Sequence, residues 1–538
     1  MSKRIFIGLA TAALVAAMIP GATMAVDPPE EFRAYWADAF GEGIYTPAQV
    51  DELVAEAKAA NMNAIVAQIG RRGDCFCNNA IMPRTQQAGV APLPYDPLQT
   101  LIDKAHAEGI EVHAWIIATA IWNSATPPVA GNHVYNTHGP STSGYDNWVM
   151  TRYDGSRPGD TYLDPGHPDA ADYIVSMYTS LAQNYDIDGL NFDRIRYPDG
   201  QLGTWPDDNS WGYNQVALDR FHAATGRTDR PLPNDAEWSQ WRRDQITNIV
   251  RRVYLETYAI DPSININADT ITYGDGPAQL GGWEASRPYR ETLQDWRAWM
   301  EEGILDLNIP MNYKREWCTG GAIPGCFGGF SQQDWYENWN EFIKDHQYDR
   351  QTVVGSAIYL NYTDGSVAQV RKALAPSAAG NLGVGWVGYS YRTPDFYTNL
   401  SPSNPDHRPG DLSRAELTRA LTQPSEYDSV TPPVFAGPAV VPQMAWKTQP
   451  TMGHVMGTAS TADGTPFDQA AVELRDAETD ALIATRLTDG TGNFGFVDLA
   501  PGRYKVLVDP AVAHSRRVAV FTVRVGHVTE VEVVAKSR

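Results

Sequence analysis

The sequence of 538 residues predicts a closed (β/α)8 barrel followed by a small all-β sandwich. Three observations predict it. Between about residues 30 and 420, eight short apolar runs alternate with amphipathic helical stretches. The turn after the first run, Ala37-Asp38-Ala39-Phe40-Gly41-Glu42-Gly43, is not the Gly-rich phosphate fingerprint that the alternative, a doubly wound open sheet, would usually carry. From Met452 onward apolar residues recur at period two, punctuated by Asp463-Gly464, Asp489-Gly490 and Pro501-Gly502.

The eight runs are Phe32–Ala37, Ala64–Ile69, Glu111–Ile117, Gly189–Ile195, Ser263–Ala268, Leu305–Met311, Thr352–Ile358 and Gly383–Gly388. Each is near-continuously apolar, as a parallel strand covered on both faces must be. The helices between them carry their own signals. Thr46-Pro47-Ala48-Gln49 reads as a capping box with Pro at the first helical position, and Val50, Leu53, Val54 and Ala57 form one stripe. Asp96-Pro97 starts the next, with Leu98, Leu101, Ile102 and Ala105 facing inward and Gly109 closing it. Ile174, Met177, Tyr178 and Leu181 make a third stripe; Trp238, Trp241, Ile249, Val250 and Val253 lie on a longer one. Pro424 through Pro450 is rich in Pro and Val without periodicity and reads as a linker.

The N-terminus has the pattern of an export signal. Lys3 and Arg4 precede the apolar stretch Ile5 to Ile19, and Thr23-Met24-Ala25 offers a cleavage site. The expected division is therefore a signal peptide over 1–25, the barrel over 30–423, a linker over 424–451 and the sandwich over 452–538, in a secreted protein with no membrane span. The net charge of −22, from 42 basic and 64 acidic residues, argues against nucleic acid and anionic lipid as partners. The 16 Trp and 26 Tyr are a rich supply of flat surfaces for sugar faces, or for core packing. The four cysteines, Cys75, Cys77, Cys318 and Cys326, allow three disulfide pairings. A local Cys318–Cys326 bridge is the first choice, which leaves Cys75 and Cys77 as a tight pair. Zinc is the alternative, at a spacing that matches no common zinc pattern.

The most informative segment is Tyr185-Asp186-Ile187-Asp188-Gly189-Leu190-Asn191-Phe192-Asp193-Arg194-Ile195-Arg196-Tyr197-Pro198. Asn191 and Asp193 share one face of a strand, so if that face lines the barrel Asp193 emerges at the mouth. Glycosidic cleavage needs one protonated and one ionised carboxyl flanking the bond, and Asp193 is the best candidate for one of them. The structural reading of the same residue is an ion pair with Arg194 or Arg196. Asp186 and Asp188, at the other end of the strand, read as turn and cap.

Several motifs in order resemble the glycosyl-hydrolase-like family 10 of exported barrel proteins. They are Phe32-Arg33-Ala34-Tyr35-Trp36, Gln68 through Arg72-Gly73-Asp74, His113-Ala114-Trp115, Leu163-Asp164-Pro165-Gly166-His167-Pro168, and the strand ending in Asp193. Trp241-Arg242-Arg243-Asp244-Gln245 and Asp295-Trp296-Arg297 continue the series. The resemblance implies a secreted glycoside hydrolase acting on a polysaccharide, with peptidoglycan or another envelope glycan as substrate class and no organic cofactor. Departures from the family pattern are Gly70 for an Arg, Arg194 for a second acid, Asn267-Ala268-Asp269-Thr270 at the fifth strand and Pro310-Met311-Asn312-Tyr313 at the sixth. With Arg194 in place of an acid, a non-catalytic glycan-binding barrel is the alternative. A metal-dependent hydrolase would need a His/Asp cluster at strand ends, and His113 is the one strand-end His.

Four residues compete for the second acid: Asp269, Glu316, Asp74 and Asp38, with Glu316 and Asp269 preferred. Glu316 has aromatic neighbours that would raise its pKa; Asp269 ends the strand beside that of Asp193. Substrate contacts are expected from Arg33, Gln68, Arg72, Asp74, His113, Asn191, Arg196, Asn312 and Tyr359. Stacking is expected from Trp36, Trp115, Tyr197, Tyr313, Trp317 and Trp386. Arg33 also suits a role organising acids, and His113 a buried structural one. The tail, with Thr488-Asp489-Gly490 and Leu499-Ala500-Pro501-Gly502, resembles a carboxypeptidase-regulatory-like sandwich, a class that implies a spacer or a contact with the cell surface or another protein.

Overall fold

The computed structural model describes residues 28–199, 209–324, 326, 328–509 and 517–535. The export signal expected over 1–25 lies outside the described residues. Eight parallel strands follow in chain order: β1 (Phe32–Ala37), β2 (Ala64–Arg71), β3 (Glu111–Ile117), β4 (Gly189–Asp193), β5 (Asn265–Ile271), β6 (Leu307–Met311), β7 (Val354–Ala357) and β8 (Gly385–Tyr389). Each pairs with its sequence neighbour, and β1 pairs with both β2 and β8, so the sheet closes. The eight expected strands are all present. Where bounds differ, as at β5, β6 and β8, the strand starts two residues later than its apolar run. Ile264 and Leu305 are buried approach residues, and burial alone does not mark where pairing begins.

The helices start where their caps place them. In α1 (Pro47–Ala59) the Thr46 side chain accepts from the Gln49 N–H, and Val50, Leu53, Val54 and Ala57 are its buried face. In α2 (Pro97–Ala107) Asp96 does the same for Gln99. α3 (Pro168–Asn184) and the 25-residue α4 (Ala236–Ile260) pack on each other over the outer wall. Inside the barrel, Phe32, Ala34, Trp36, Ala64, Val66, Trp115, Leu307 and Ile309 fill the axis.

The segment read as a linker packs across the floor of the barrel. Val440 bridges Glu30, and Phe435 is fully buried beneath the Arg33 guanidinium at 4.3 Å. Trp446 Nε1 donates to Asp306 Oδ1 at 2.7 Å, and the Lys447 ammonium meets Asp306 Oδ2 at 2.6 Å, both charges almost wholly out of water. That pair is sustained because Asp306 Oδ2 also accepts the Ile266 N–H.

Beyond it stand β9 (Gly453–Thr461), β10 (Ala471–Asp476), β11 (Leu482–Leu487), β12 (Asn493–Leu499), β13 (Gly502–Asp509), β14 (Arg517–Val523) and β15 (Val528–Ala535). They form a three-stranded sheet, β12–β9–β15, against a four-stranded one, β11–β10–β13–β14, around Val455, Val472, Leu474, Phe496 and Val506. Ion pairs fix this sandwich to the barrel flank: Arg220 to Asp468, Arg350 to Asp498, and Glu302 between Arg251 and Arg486. Among the described residues, no helix is long and apolar enough to cross a membrane.

Replacing Lys447 by Ala leaves the Asp306 carboxylate buried without its cation. The expected loss is about 3–5 kcal/mol of stability, read as a lower denaturant midpoint. The double variant Asp306→Asn/Lys447→Met should recover part of it.

Candidate active site

The register between β4 and β5 builds the site. Asn191 pairs with Asn267 and Phe192 with Ala268, so Asp193 and Asp269 stand level on neighbouring strands. Alternation turns both toward the axis, above a layer made by Trp115, Asn191 and Asn267. Trp115 Nε1 donates to Asp193 Oδ2 at 3.1 Å. Trp36 Nε1 donates to Asp269 Oδ1 at 3.1 Å, and Asn191 Nδ2 donates to the same oxygen at 2.9 Å.

Asp193 is 8% exposed and Asp269 2%. Burial, followed by the negative charge of Asp193, pushes the Asp269 carboxyl well above the usual carboxylate range, against the opposing effect of its Asn191 and Trp36 donors.

Above the pair is an aromatic wall centred on Tyr389 at the end of β8. Its ring stacks on Tyr313 at 5.5 Å and meets Tyr359, Trp36 and Trp115 at 5.7, 6.0 and 6.2 Å. Tyr313, Tyr359 and Tyr389 are half-buried. Tyr389 is absent from the residues expected from sequence, because its strand was expected to end at Gly388, one residue short of it. Gln68 also points into the mouth. Its Oε1 accepts the Ala39 N–H, while its buried Nε2 has no partner.

Two cavities open beside this centre. One, about 310 Å³, lies in the loops after β2 and β3 and is lined by Arg72, Asp74, Trp122 and His133. Burial pushes the Asp74 carboxyl up to about 6 there, opposed by the Thr85 hydroxyl. The other, about 570 Å³, lies in the loops after β3, β4 and β5, with Arg196 on its wall. Between them Asp160 Oδ2 accepts from both Arg72, at 2.6 Å, and Arg194, at 2.8 Å. Arg72 and Arg194 both have left-handed backbones, φ 56° and 50°, which L side chains adopt at a cost.

Several expected site residues belong elsewhere. Glu316 is not at the mouth: its carboxylate is held by Lys372 and by Gln333 Nε2 in the helical layer. Asn312 donates outward to the Tyr336 carbonyl and to Asn340. Arg33 faces the floor, tied to Glu31 and the Gly437 carbonyl. Trp386 faces the outer layer, donating to Ser356 Oγ and packing on Phe435. Tyr197 is fully buried in the main core. Trp317, also expected to stack on substrate, donates to the Leu360 carbonyl and meets Phe396 edge-on. His113 lies deep in the barrel between Glu111, at 3.1 Å, and Asn267, at 2.9 Å, with Phe32 edge-on. Trp36, Trp115 and Asn191 are buried, so they hold the two aspartates rather than stack on or bind a sugar. Asp38 is ion-paired with Arg392 at 3.1 Å. For Glu316, Asn312, Arg33 and Trp386 the difference lies in direction: order along the strand was legible, but which face of it the side chain takes was not.

The cysteines form Cys75–Cys77 and Cys318–Cys326 disulfides. Among the described residues, no group of three or more His, Cys, Asp or Glu is arranged to hold a metal ion.

Comparison with known proteins gives this site a family. The family model for "Glycosyl hydrolase-like 10" matches residues 31–322, and a "Carboxypeptidase regulatory-like domain" matches residues 454–536. Glycosyl hydrolase YngK of Bacillus subtilis is 24% identical over 413 residues, 73% of this chain and 68% of that protein. Glycosyl hydrolase DigH of Escherichia coli K12 is 25% identical over 273 residues, 47% of this chain and 54% of its own length, so the chain spans about half of that relative. The solved PgaB (BpsB) glycoside hydrolase domain from Bordetella bronchiseptica aligns with 72% of this chain and 98% of its own at 16% identity. Its TM-score of 0.46 is too low to bear on the site. The matched segment runs from the first barrel strand to the loop after the sixth, and contains both Asp193 and Asp269. The chain belongs to the glycosyl hydrolase-like 10 family, and its barrel is glycosidase-like.

Proposed function

We propose that the protein is an exported glycoside hydrolase that cleaves O-glycosidic bonds of a polysaccharide, with Asp193 and Asp269 as its acid–base pair. The observation that carries this reading is the level pairing of two buried carboxyls at the mouth of the barrel, where burial and the Asp193 charge push Asp269 above the usual carboxylate range. Cleavage needs a proton for the leaving glycosidic oxygen and an ionised carboxylate beside the developing oxocarbenium ion. Asp269, kept protonated by burial and by its neighbour's charge, supplies the first. Asp193 supplies the second, its charge held by the Trp115 indole. Tyr313, Tyr359 and Tyr389 offer ring faces and hydroxyls to a sugar held over the pair.

The substrate class is an envelope polysaccharide such as peptidoglycan. The N-terminal export pattern of Lys3, Arg4 and the apolar stretch after them supports it, and family membership supports a glycan as the substrate. The sandwich contributes no catalytic set. Its ion pairs to the barrel flank suit a module that holds the barrel at a cell surface or on another protein in a fixed orientation.

Reducing-end release from a panel of bacterial cell-wall and plant polysaccharides tests the reading. Asp193→Asn and Asp269→Asn should each lower release by about 10²–10⁴-fold, with glycan binding retained. A wild type that binds a glycan and releases nothing from any of them would leave a carbohydrate-binding barrel instead.

The raised Asp269 carboxyl also has a stability signature. A carboxyl whose folded pKa is raised favours the folded state fully below its unfolded value, near 3.9, and loses that contribution as pH rises through the folded value. Asp269→Asn removes the penalty that burying this group imposes at higher pH. Its thermal midpoint should therefore exceed that of the wild type at about pH 8, and the difference should shrink as pH falls toward the unfolded carboxyl range.

A further inference from the structure

Beneath the aspartate pair a column of hydrogen-bonded side chains runs from the barrel floor to Asp269. At its foot the Asn265 side-chain amide donates to the Met444 sulfur, in the strap across the floor, at 3.4 Å. Asn267 Nδ2 stands near three acceptors: His113 Nδ1 at 2.9 Å, Asn265 Oδ1 at 3.0 Å and the Asn265 carbonyl at 3.3 Å. His113 Nε2 in turn faces Glu111 Oε2 at 3.1 Å. Upward, Asn267 Oδ1 accepts from Asn191 Nδ2 at 2.7 Å, and the same nitrogen donates to Asp269 Oδ1 at 2.9 Å. His113, Asn191 and Asn267 are fully buried, so bulk water replaces none of these bonds.

The column has one direction, and a backbone group sets it. A carbonyl oxygen only accepts, so the side of Asn267 that faces the Asn265 carbonyl is its NH2. Its oxygen is thereby turned up toward Asn191, which can meet it only with its own NH2. His113 then accepts at Nδ1, which places its proton on Nε2, toward Glu111. Gly189 leaves the imidazole its room, since a Cβ there would lie 2.2 Å from Nδ1, and Phe32 meets the ring edge-on at 5.2 Å.

This arrangement is not the one that best satisfies Asn191, whose Oδ1 is buried without a partner. A buried amide oxygen without a donor is costly, so its persistence marks an orientation imposed by its surroundings. The effect of that orientation falls on Asp269. Oδ1 of this carboxyl receives both the Asn191 N–H and the Trp36 indole N–H. With both lone pairs of Oδ1 engaged, the proton of the acid belongs on Oδ2.

We infer that Asn267 is a positioning residue for the acid: pinned from below by His113 and Asn265, it aims the Asn191 N–H at Asp269 Oδ1 and so confines the acid's proton to Oδ2. The inference rests on reading Asp269 as the acid of the pair. It adds that the proton leaves from one fixed oxygen, and that a buried amide one layer below fixes which.

Two measurements on the full chain test this. In the wild type, nitrogen-15 NMR of the histidine rings should show His113 with a bare Nδ1 and a protonated Nε2 at neutral pH. A His113 protonated at Nδ1 would mean that Asn267 presents its oxygen downward, and overturns the inference whether or not any variant folds. The second measurement is a mutant cycle read by the carbon-13 titration of the Asp269 carboxyl. Asn267→Leu frees the Asn191 amide to turn and offer its oxygen to the protonated acid, so the Asp269 titration point should rise by about one pH unit. Asn191→Leu should raise it as well, and Asn267→Leu added to Asn191→Leu should raise it no further. A residue that only fills space would shift the titration equally in both backgrounds or in neither, and either result overturns the inference. Absence of reducing-end release, with both measurements as expected, would sink the hydrolase reading and leave the placement of the proton standing.

Discussion

Two carboxyl groups placed level on adjacent strands, inside a barrel and nearly out of water, are the constraint around which this molecule is built. Such a pair cannot be buried fully charged without large cost, so the barrel surrounds it with the few donors that fit: two indole N–H groups and one amide. Those donors are themselves rigid. Trp36 and Trp115 are packed into the apolar column on the axis, and Asn191 is held by Asn267. The geometry of the aspartates is thus set from below, by packing, and their protonation follows from that geometry.

The rest of the chain divides its labour along the barrel axis. The floor is closed by a strap over residues 424–451, through the Asp306–Lys447 pair and the Arg33–Phe435 contact. The mouth is left with half-buried tyrosines and two side cavities separated by the Asp160 ridge. Arginines serve opposite ends of this plan. On the flank they are consumed in ion pairs to the sandwich, whereas at the mouth Arg72 and Arg194 share Asp160.

The fold was legible in the sequence because its signals are local and repeated: eight apolar runs, helix caps at Thr46 and Asp96, and period-two strands in the tail. Asp193 was legible for the same reason, as the terminal acid of a buried strand, and Asp269 as the end of the next. The shell around them was less so. Glu316, Asn312 and Trp386 stand at or near strand ends in the right order, yet their side chains turn into the helical layer, which depends on alternation and loop path rather than on position. Trp36 and Trp115 were recognised as mouth residues, but their role as donors to the aspartates needed the indole N–H directions. Tyr389 was missed by one residue of strand length.

The raised affinity of Asp269 for its proton is the centre of this account, and it can be observed directly. Protein labelled with carbon-13 at the aspartate side-chain carboxyls, titrated by NMR from about pH 4 to about pH 8, reports each carboxyl as protonated or ionised. Asp193→Asn and Asp269→Asn assign the two signals. The account predicts that Asp269 remains protonated well above the carboxylate range, and that removing the Asp193 charge lowers its titration point. Two carboxyls that both ionise in the ordinary aspartate range, each indifferent to the loss of the other, would contradict it.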